Sequence, residues 1–333
     1  MAAAKNILVT GANGFVGQAC CRAFVNAGYN VIAATRKHCP KPKEAGASLQ
    51  YEPLGDIDGD LDVDTWVKVI RRVDTVIHLA ARVHVMSETI SDTMAAFRRT
   101  NALGTESLAI LAARNGIRRF IFLSTIKVNG ERTEGAPFTE SDAPAPQDEY
   151  GLSKWEAEQT LLRVAQESGM EVVILRPPMV YGPMAKGNML RLFKCVHQRI
   201  PLPLAHIENR RSLVGLGNLI DLLKRCAEHP AAAGQTFLVS DDEQVSTPEL
   251  IHSIANALHR PARLFPLPPR LFHLILTVLG KRYEADRLCS SLMVNSQKVR
   301  HVLNWRPPFS LSQGLQETAD WFLHSRMIKE INS

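Results

Sequence analysis

A glycine-rich turn near the amino terminus constrains the fold of this chain more than any other feature. The apolar run Asn6–Thr10 is followed by Gly11-Ala-Asn-Gly14-Phe-Val-Gly17, and a helical pattern begins there. In such a strand–turn–helix unit the glycines permit a tight turn, a close approach of main chain to a pyrophosphate, and close packing of the helix on the sheet. The turn therefore predicts dinucleotide binding. The residues expected to contact the dinucleotide here are Gly11, Asn13, Gly14, Phe15, Val16 and Gly17.

Short apolar runs alternate with helix-length segments through the first half of the sequence. The runs are rich in β-branched residues and lack polar alternation, which is expected of strands covered on both faces. The predicted strands are Asn6–Thr10, Asn30–Thr35, Ser48–Pro53, Thr75–Leu79, Phe120–Ser124 and Val172–Arg176. The predicted helices are Phe15–Ala27, Asp64–Arg71, Asp92–Asn115 and Tyr150–Ser168. This order predicts an α/β fold with a Rossmann-type, doubly wound parallel sheet that binds ligands at the carboxyl ends of its strands.

The pattern changes after Arg176, where prolines interrupt short helical segments. We therefore expect a dinucleotide-binding domain over residues 1–176 and a smaller substrate domain over residues 177–333. One further strand, Thr236–Val239, is expected to return to the first sheet. The two domains are then partly interwoven.

Composition excludes several classes of protein. The chain has 333 residues, 45% hydrophobic and 22% charged, which are values typical of globular proteins. A net charge of +6 is spread along the sequence without a basic block, so nucleic acid is not an expected partner. The six cysteines include no CxxC pair. No metal site is predicted, and a reducing, cytoplasmic location is expected.

The most membrane-like stretch is Leu271–Leu279. It is too short for the roughly 20 residues of a spanning helix. We interpret it as a buried or groove-lining helix, with a peripheral membrane contact as the alternative.

A tyrosine and a lysine four residues apart, Tyr150 and Lys154, are predicted to share one face of a helix. A nearby ammonium group favours the phenolate, so the pair is expected to lower the pKa of the tyrosine. Such a tyrosine donates or removes a proton when hydride moves to or from carbon. Lys154 can in addition hold ribose hydroxyls.

Two neighbouring strands end in residues that suit the same site. The strand from Phe120 ends in Ser124 and Thr125, and a hydroxyl there can bond the oxygen of a reacting alcohol or ketone. The strand before it closes with His78 and small residues, where main chain passes near a cofactor. The cofactor contacts expected from this second strand end are Leu79, Ala80 and Ala81.

Cofactor preference is predicted from the end of the second strand. An NAD site usually has a carboxylate there for the ribose 2′-hydroxyl, whereas this chain has Thr35 followed by two cations, Arg36 and Lys37. A cation can meet a 2′-phosphate, so NADP(H) is favoured and NAD(H) is possible. After the third strand, Asp56 can accept a bond from the adenine amino group and Ile57 can pack on the ring.

Taken together, these segments resemble the extended short-chain dehydrogenase/reductases of the NAD-dependent epimerase/dehydratase type, which act on nucleotide sugars. The segments that carry the resemblance are TGANGFVG (10–17), GDI (55–57), HLAA (78–81), TNALGTE (100–106), FLSTIKVNG (122–130), YGLSK (150–154) and LRPPMVYGP (175–183). The resemblance implies that Tyr150 is the acid/base, Lys154 its partner and Thr125 the substrate hydroxyl. It further implies that Asn101, Ser124 and Pro177 contact the cofactor. For Asn101 the alternative is a purely structural role, in which its side chain ties two segments together.

The resemblance extends through the second half of the chain. Segments around Asn188, Leu202 and Arg211 are similar to those that hold a uridine or thymidine diphosphate, and Arg211 fits a family arginine that pairs with the diphosphate. A second arginine is expected, either Arg287 or Arg282. Val83 and Lys127 complete the implied substrate contacts. Family members commonly dimerise through paired helices, which here are the predicted helices Asp92–Asn115 and Tyr150–Ser168.

The residues leave the reaction open between two alternatives. Dehydratases of the family carry an Asp–Glu pair after the active hydroxyl, where this chain has Ile126 and Lys127, so dehydration is disfavoured. Arg36 favours a 4-keto reductase. The segments ARVHVM (81–86) and STIKVNG (124–130) favour it as well, because they resemble those of bacterial reductases that act on UDP-4-keto-6-deoxy-N-acetylhexosamines for surface polysaccharides. A UDP-sugar 4-epimerase with tightly held NAD is the alternative. A dinucleotide-binding sensor without catalysis is a distant third.

Overall fold

A computed structural model describes residues 5–38, 48–58, 60–83, 93–278, 280 and 282–331. Its main sheet has seven strands in the order β3-β2-β1-β4-β5-β6-β9, and every neighbouring pair is parallel. The strands are β1 (Asn6–Thr10), β2 (Asn30–Thr35), β3 (Leu49–Pro53), β4 (Thr75–His78), β5 (Arg119–Leu123), β6 (Glu171–Arg176) and β9 (Thr236–Leu238). The predicted doubly wound Rossmann-type sheet is confirmed.

Strand β1 shows why the central strands are apolar without alternation. Ile7 and Val9 point into one hydrophobic core and Leu8 points into a second core on the opposite face of the sheet. Successive side chains of a strand alternate between faces, so a strand buried on both faces needs an apolar residue at every position. The chain order reverses between β1 and β4, and ligands of such sheets bind in the crevice at this reversal.

Helices cover both faces of the main sheet. The first core packs against α1 (Phe15–Asn26) and α7 (Leu216–Glu228), and the second against α2 (Val63–Ile70), α4 (Gly104–Arg114) and α5 (Glu149–Ser168). The predicted helix Asp92–Asn115 is divided into α3 (Thr93–Phe97), a π-helical stretch (Arg98–Leu103) and α4. Its first residue lies outside the described residues.

A smaller unit follows β6. A three-stranded sheet is formed by β7 (Met179–Tyr181), β8 (Arg211–Gly215) and β10 (Gln244–Val245), with β8 in the centre. The sequence interpretation missed these strands, which are two to five residues long and are not part of the alternation of strands and helices that marks the first half of the chain. The helices of this unit are α6 (Gly187–His197), α8 (Thr247–Ala257), α9 (Pro269–Val278), α10 (Arg282–Cys289) and α12 (Leu311–Ile331). Helix α11 (Gln297–Leu303) packs instead against the first core of the main sheet through Val299 and Leu303. Between β8 and β10, the chain returns to the main sheet as β9.

Among the described residues, no helix has the length and apolar character needed to cross a bilayer. Leu271–Leu279 was interpreted as a buried or groove-lining helix, and burial is wrong for most of its described apolar side chains. Helix α9 buries Phe272 but exposes Leu271, Leu274, Ile275 and Val278. Helical periodicity puts only one stripe of a helix against the core, and here the opposite stripe is apolar as well.

Candidate active site

The glycine turn holds the ends of β1 and β4 closer than any side chain would allow. Gly11 has a φ of +65°, and a Cβ added to it would lie 2.7 Å from the main-chain nitrogen of Ala80. A Cβ on Gly17 would lie 2.1 Å from the carbonyl oxygen of Gly11. Asn13 and Gly14 are exposed at the tip of the turn, whereas Phe15 and Val16 are half-buried at the start of α1. The turn therefore presents main chain and a helix amino end to a ligand, which fits a dinucleotide pyrophosphate.

His78 ties this turn to the helices behind it. Its Nε2 lies 2.9 Å from the Thr105 hydroxyl, and its Nδ1 lies 2.7 Å from the Thr10 hydroxyl. Thr105 donates its own proton to the Asn101 carbonyl oxygen at 2.7 Å, so it accepts from Nε2–H, and Nδ1 accepts from Thr10. Thr10 in turn accepts the main-chain N–H groups of the half-buried Leu79 and Ala80. The imidazole is therefore neutral and structural.

Burial lowers the pKa of His78 to about 3, and the positive charge of Lys154 acts in the same direction. The unfolded chain binds this proton near pH 6.5, so acidification below that value favours unfolding. We expect this group alone to lower the free energy of unfolding by about 2 kcal/mol when the pH falls from 7 to 5. Denaturant unfolding of the wild type and of His78→Asn across this range measures it. An equal pH slope in the two proteins contradicts the assignment.

The amino end of α5 places Tyr150 and Lys154 beside the end of β5. Asp148 caps the helix by accepting the main-chain N–H of Gly151 at 2.7 Å. The same carboxylate is ion-paired with Lys127, whose Nζ also lies 2.6 Å from Glu131. Lys127 sits on the 3-10 turn Ile126–Val128 that follows β5, so these ion pairs fasten the turn to α5.

The pKa values of Tyr150 and Lys154 differ from the expectation. Burial raises the pKa of Tyr150 to about 12, with Asp148 adding to the rise and Lys127 opposing it. Burial lowers the pKa of Lys154 to about 7, partly offset by Glu158. The prediction that a nearby lysine lowers the pKa of this tyrosine is therefore wrong. Desolvation is the largest influence on both groups, and the cation that opposes it at Tyr150 is Lys127.

Lys154 lies against an aromatic ring beneath the end of β5, near the charge of a carboxylate. Its Nζ lies 3.9 Å from the centroid of the Phe122 ring, a cation–π distance. Glu158, one turn further along α5, is buried and ion-paired with the buried Arg176 at 2.5 Å. Arg176 also donates to Asn129 Oδ1 at 2.9 Å. The network connects α5, β6 and the segment after β5 beneath the predicted catalytic residues.

The two hydroxyls at the end of β5 have different partners. Ser124 is buried and donates to Glu158, so its hydroxyl belongs to the network below the site. Thr125 is also largely buried, and its Oγ1 accepts the main-chain N–H of Lys127 at 3.3 Å. The main chain here is further held by Pro177, whose carbonyl oxygen accepts the N–H of Ile126 at 2.9 Å.

Asn101 lies on the π-helical stretch and serves as a structural tie. Its Oδ1 accepts the main-chain N–H of Arg82 at 2.8 Å, and its Nδ2 donates to Arg82 O and to Ser153 Oγ, both at 3.0 Å. Ser153 immediately precedes Lys154. Asn101 therefore positions α5 against the chain that leaves β4. Ala81 is half-buried in this chain and Val83 is exposed, whereas residues 84–86 of the ARVHVM segment lie outside the described residues.

Arg36 stands exposed where the second strand ends. Its guanidinium is 3.9 Å from the equally exposed Asp56. The buried Thr35 donates its hydroxyl to the carbonyl oxygen of Lys37 at 2.9 Å, so the threonine shapes the loop. Ile57 is buried against Gly104 of α4. Among the described residues, the exposed side chains at this edge include those of Arg36, Lys37 and Asp56, which are candidates for contact with an adenosine ribose.

Two arginines adjoin each other in the smaller unit. Arg211 on β8 donates to the carbonyl oxygens of Arg287 and Ser290 at 2.9 and 3.0 Å. Burial lowers the pKa of Arg211 to about 10, and the charge of Arg287 adds to this. Two guanidinium groups held near each other suit a diphosphate. Arg287 is therefore the candidate next to Arg211, whereas the side chain of Arg282 lies outside the described residues.

The other predicted substrate residues lie on the same unit. Asn188 is half-buried in the first turn of α6. Leu202 is half-buried and pairs with Leu264, with its main-chain N–H donating to Arg263 O at 2.8 Å. Both positions come after β7 in the sequence, as Arg211 does.

Comparison with known proteins identifies the family to which this chain belongs. The model of the NAD dependent epimerase/dehydratase family matches residues 7–240. The chain is 41% identical over 323 residues to a UDP-glucose 4-epimerase of Vibrio cholerae, with 96% of each chain covered. The chain belongs to the NAD-dependent epimerase/dehydratase family.

Further comparisons agree with this assignment. The chain is 24% identical over 336 residues to the N-acetyl-alpha-D-glucosaminyl-diphospho-ditrans,octacis-undecaprenol 4-epimerase of Escherichia coli O157:H7, covering 96% of each. A crystal structure of UDP-glucose 4-epimerase from Thermotoga maritima superposes with a TM-score of 0.77 at 22% identity, covering 96% of this chain and 99% of that one. This family member is an enzyme of the nucleotide-sugar epimerase/dehydratase type, in a family that takes its name from NAD dependence.

Several residues of the site were missed by the sequence interpretation. Glu158 and Arg176 are buried charges whose partnership joins α5 to β6, and nothing local marks either residue as buried. Asp148 carries a weak signal, since an aspartate directly before a helical pattern is a typical N-cap. Thr105 follows Asn101 by one helical turn and carries no signal without His78 beside it.

Proposed function

We propose that this family member reduces the C4 keto group of a UDP-linked sugar, most specifically a UDP-4-keto-6-deoxy-N-acetylhexosamine, with NADPH in the cytoplasm. The observation that carries the proposal is Arg36, 82% exposed at the end of β2 where a ribose-binding carboxylate would favour NAD. An exchangeable reduced cofactor suits a one-way reduction, whereas an epimerase retains its cofactor through both half-reactions.

The protein groups proposed for the reaction surround the end of β5. The reduced nicotinamide, when bound, supplies the hydride. Tyr150 donates its phenolic proton to the C4 oxygen, and the raised pKa keeps the phenol protonated until that oxygen becomes basic. Lys154 supports the phenolate that forms, and Thr125 holds the C4 oxygen. Arg211 and Arg287 bind the diphosphate.

Dehydration is disfavoured by the residues that follow Thr125. The family dehydratases use an acid pair at this place, and here the side chains are a buried isoleucine and a lysine. Lys127 is ion-paired with Asp148 and Glu131, which raise its pKa to about 12 against the effect of burial. A lysine held cationic in this way is not a base for removing a proton from carbon.

Incubation with enzymatically prepared UDP-4-keto-6-deoxy-GlcNAc tests the proposal. Nicotinamide absorbance is followed with NADPH or NADH, and UDP-GlcNAc is run in parallel. Steady loss of reduced cofactor that depends on the keto sugar supports a 4-reductase. Conversion of UDP-GlcNAc to its C4 epimer without net loss of cofactor overturns it.

That second outcome is the prediction of the other candidate function, a UDP-sugar 4-epimerase with bound NAD. The observation that favours it is the 41% identity to the Vibrio cholerae protein, which bears that name. The same tyrosine would then act first as base and later as acid.

Replacement of Arg36 by alanine is expected to weaken the use of NADPH while leaving the use of NADH almost unchanged. Loss of one charge-assisted hydrogen bond to the 2′-phosphate lowers kcat/KM for NADPH about tenfold or more, while the value for NADH stays within about twofold. Steady-state kinetics with both cofactors measure the ratio of kcat/KM for NADPH to kcat/KM for NADH. Arg114→Ala, which removes an exposed arginine from the end of α4, is the matched control. An unchanged ratio in Arg36→Ala removes the main support for an NADPH enzyme.

We also propose that the enzyme is a homodimer that pairs through α4, α5 and the π-helical stretch. Leu103 and Leu162 are exposed on these elements, and apolar side chains on neighbouring helices are what such a helical interface buries. Size-exclusion chromatography with light scattering tests the stoichiometry. A monomer over micromolar concentrations contradicts it.

A further inference from the structure

Helix α9 presents apolar side chains on two sides. Phe272 and Leu276 face the core of the smaller unit. Leu271, Leu274, Ile275 and Val278 follow the spacing i, i+3, i+4, i+7 and form the opposite face, which is open to solvent. Leu274 is 58% exposed and Val278 is 78% exposed. A contiguous apolar stripe of this kind marks an interaction surface.

The charge around α9 has one sign over a long stretch. Between Glu249 and Glu284 the sequence contains no aspartate or glutamate. The basic residues of this stretch are Arg260, Arg263, Arg270, Lys281 and Arg282. The first three are exposed in the structure. The carboxylate described next to α9 is Asp286 on α10, which lies 2.8 Å from His273 Nε2.

The proline-rich loop before α9 adds to the same surface. Phe265 is exposed, and its neighbour Leu264 pairs with Leu202. An exposed aromatic ring, an apolar helical face and flanking arginines are the parts of an interfacial helix, in which the apolar face enters the boundary between headgroups and acyl chains. The basic side chains match the negative surface of an anionic leaflet.

We propose that α9, with the loop before it, docks the enzyme on the surface of an anionic phospholipid bilayer. The four exposed apolar residues enter the headgroup region, and the arginines contact lipid phosphates. A second copy of this chain, which carries a net charge of +6, would meet this positive surface with charge of the same sign, whereas the surface of an anionic bilayer is complementary to it. Because α10 packs on α9 and carries Arg287, docking holds the proposed diphosphate subsite close to the membrane.

Co-sedimentation with sucrose-loaded vesicles tests this proposal. Vesicles of phosphatidylcholine with about 30% phosphatidylglycerol are compared with vesicles of phosphatidylcholine alone. We expect binding to the anionic vesicles, weakened by raising NaCl from about 0.1 M to about 0.5 M. The double variant Leu274→Gln/Val278→Gln lowers the partition coefficient about tenfold or more. Arg263→Gln/Arg270→Gln lowers it by a similar factor.

Val63→Gln is the matched control. Val63 is 55% exposed at the start of α2, on the other domain, and its variant is expected to bind as the wild type does. Circular dichroism melts establish that each variant is folded, and glutamine is a good helix former. Binding that is no stronger to anionic than to neutral vesicles overturns the proposal, as does equal binding by Leu274→Gln/Val278→Gln. So does a wild-type dimer that binds no vesicles and dissociates in that variant, because α9 then covers a second copy of the chain.

Discussion

Tyr150→Phe is expected to lower kcat by about 10²–10⁴-fold while the protein stays folded and still binds its ligands. The phenol is the proposed proton donor to the C4 oxygen, and general acid–base catalysis is worth about this much. The ring packs edge-on against Phe97, with centroids 6.2 Å apart, and phenylalanine retains that contact. Steady-state kinetics on the active substrate measure the loss, and titration of cofactor fluorescence measures binding.

Tyr29→Phe is the control for loss of a tyrosine hydroxyl. Tyr29 lies just before β2 and donates to Glu228 at 2.7 Å, at the end of the sheet away from the glycine turn. Its removal is expected to change kcat by less than about twofold and stability by about 1 kcal/mol. If Tyr150→Phe retains kcat within about threefold, the proton comes from another group. If it retains full biological activity with no measurable turnover, the chain acts as a dinucleotide-binding sensor.

Glu158→Gln is expected to lower the free energy of unfolding by about 3–5 kcal/mol. Glu158 and Arg176 are both almost fully buried, and the guanidinium bonds both carboxylate oxygens. The amide leaves the arginine charged and without its counter-ion in a poorly solvated position. Ser124 also loses a charged acceptor. Denaturant unfolding of the wild type and the variant gives the difference directly.

An exposed ion pair at the edge of the main sheet supplies the comparison. Glu52 on β3 lies 3.2 Å from Arg72, and Glu52→Gln is expected to cost less than about 1 kcal/mol. Combining Glu158→Leu with Arg176→Met replaces the buried pair by apolar groups, and we expect this double variant to regain stability relative to Glu158→Gln. Equal effects of Glu158→Gln and Glu52→Gln show that the buried charges are hydrated.

Much of the fold follows from signals that lie within a few residues of each other. The predicted strands Asn6–Thr10 and Asn30–Thr35 match β1 and β2 residue for residue, and the helix predicted at Tyr150 begins one residue earlier as α5. Apolar runs, glycine turns and helix caps are local features, so one segment is enough to read them. The short strands of the smaller sheet are stabilised by their neighbours, and their own sequences do not reveal them.

The sequence by itself predicted where the proposed catalytic and cofactor-binding groups lie, because the glycine turn and the Tyr150–Lys154 spacing each occupy one continuous segment. Only the tertiary structure decided how these groups titrate. The pKa values of Tyr150 and Lys154 move in opposite directions because both are desolvated by residues distant in sequence. Tertiary contacts likewise gave Asn101 its structural role and left one face of α9 uncovered. Burial is a property of the assembled chain, and the spacing of residues along the sequence does not contain it.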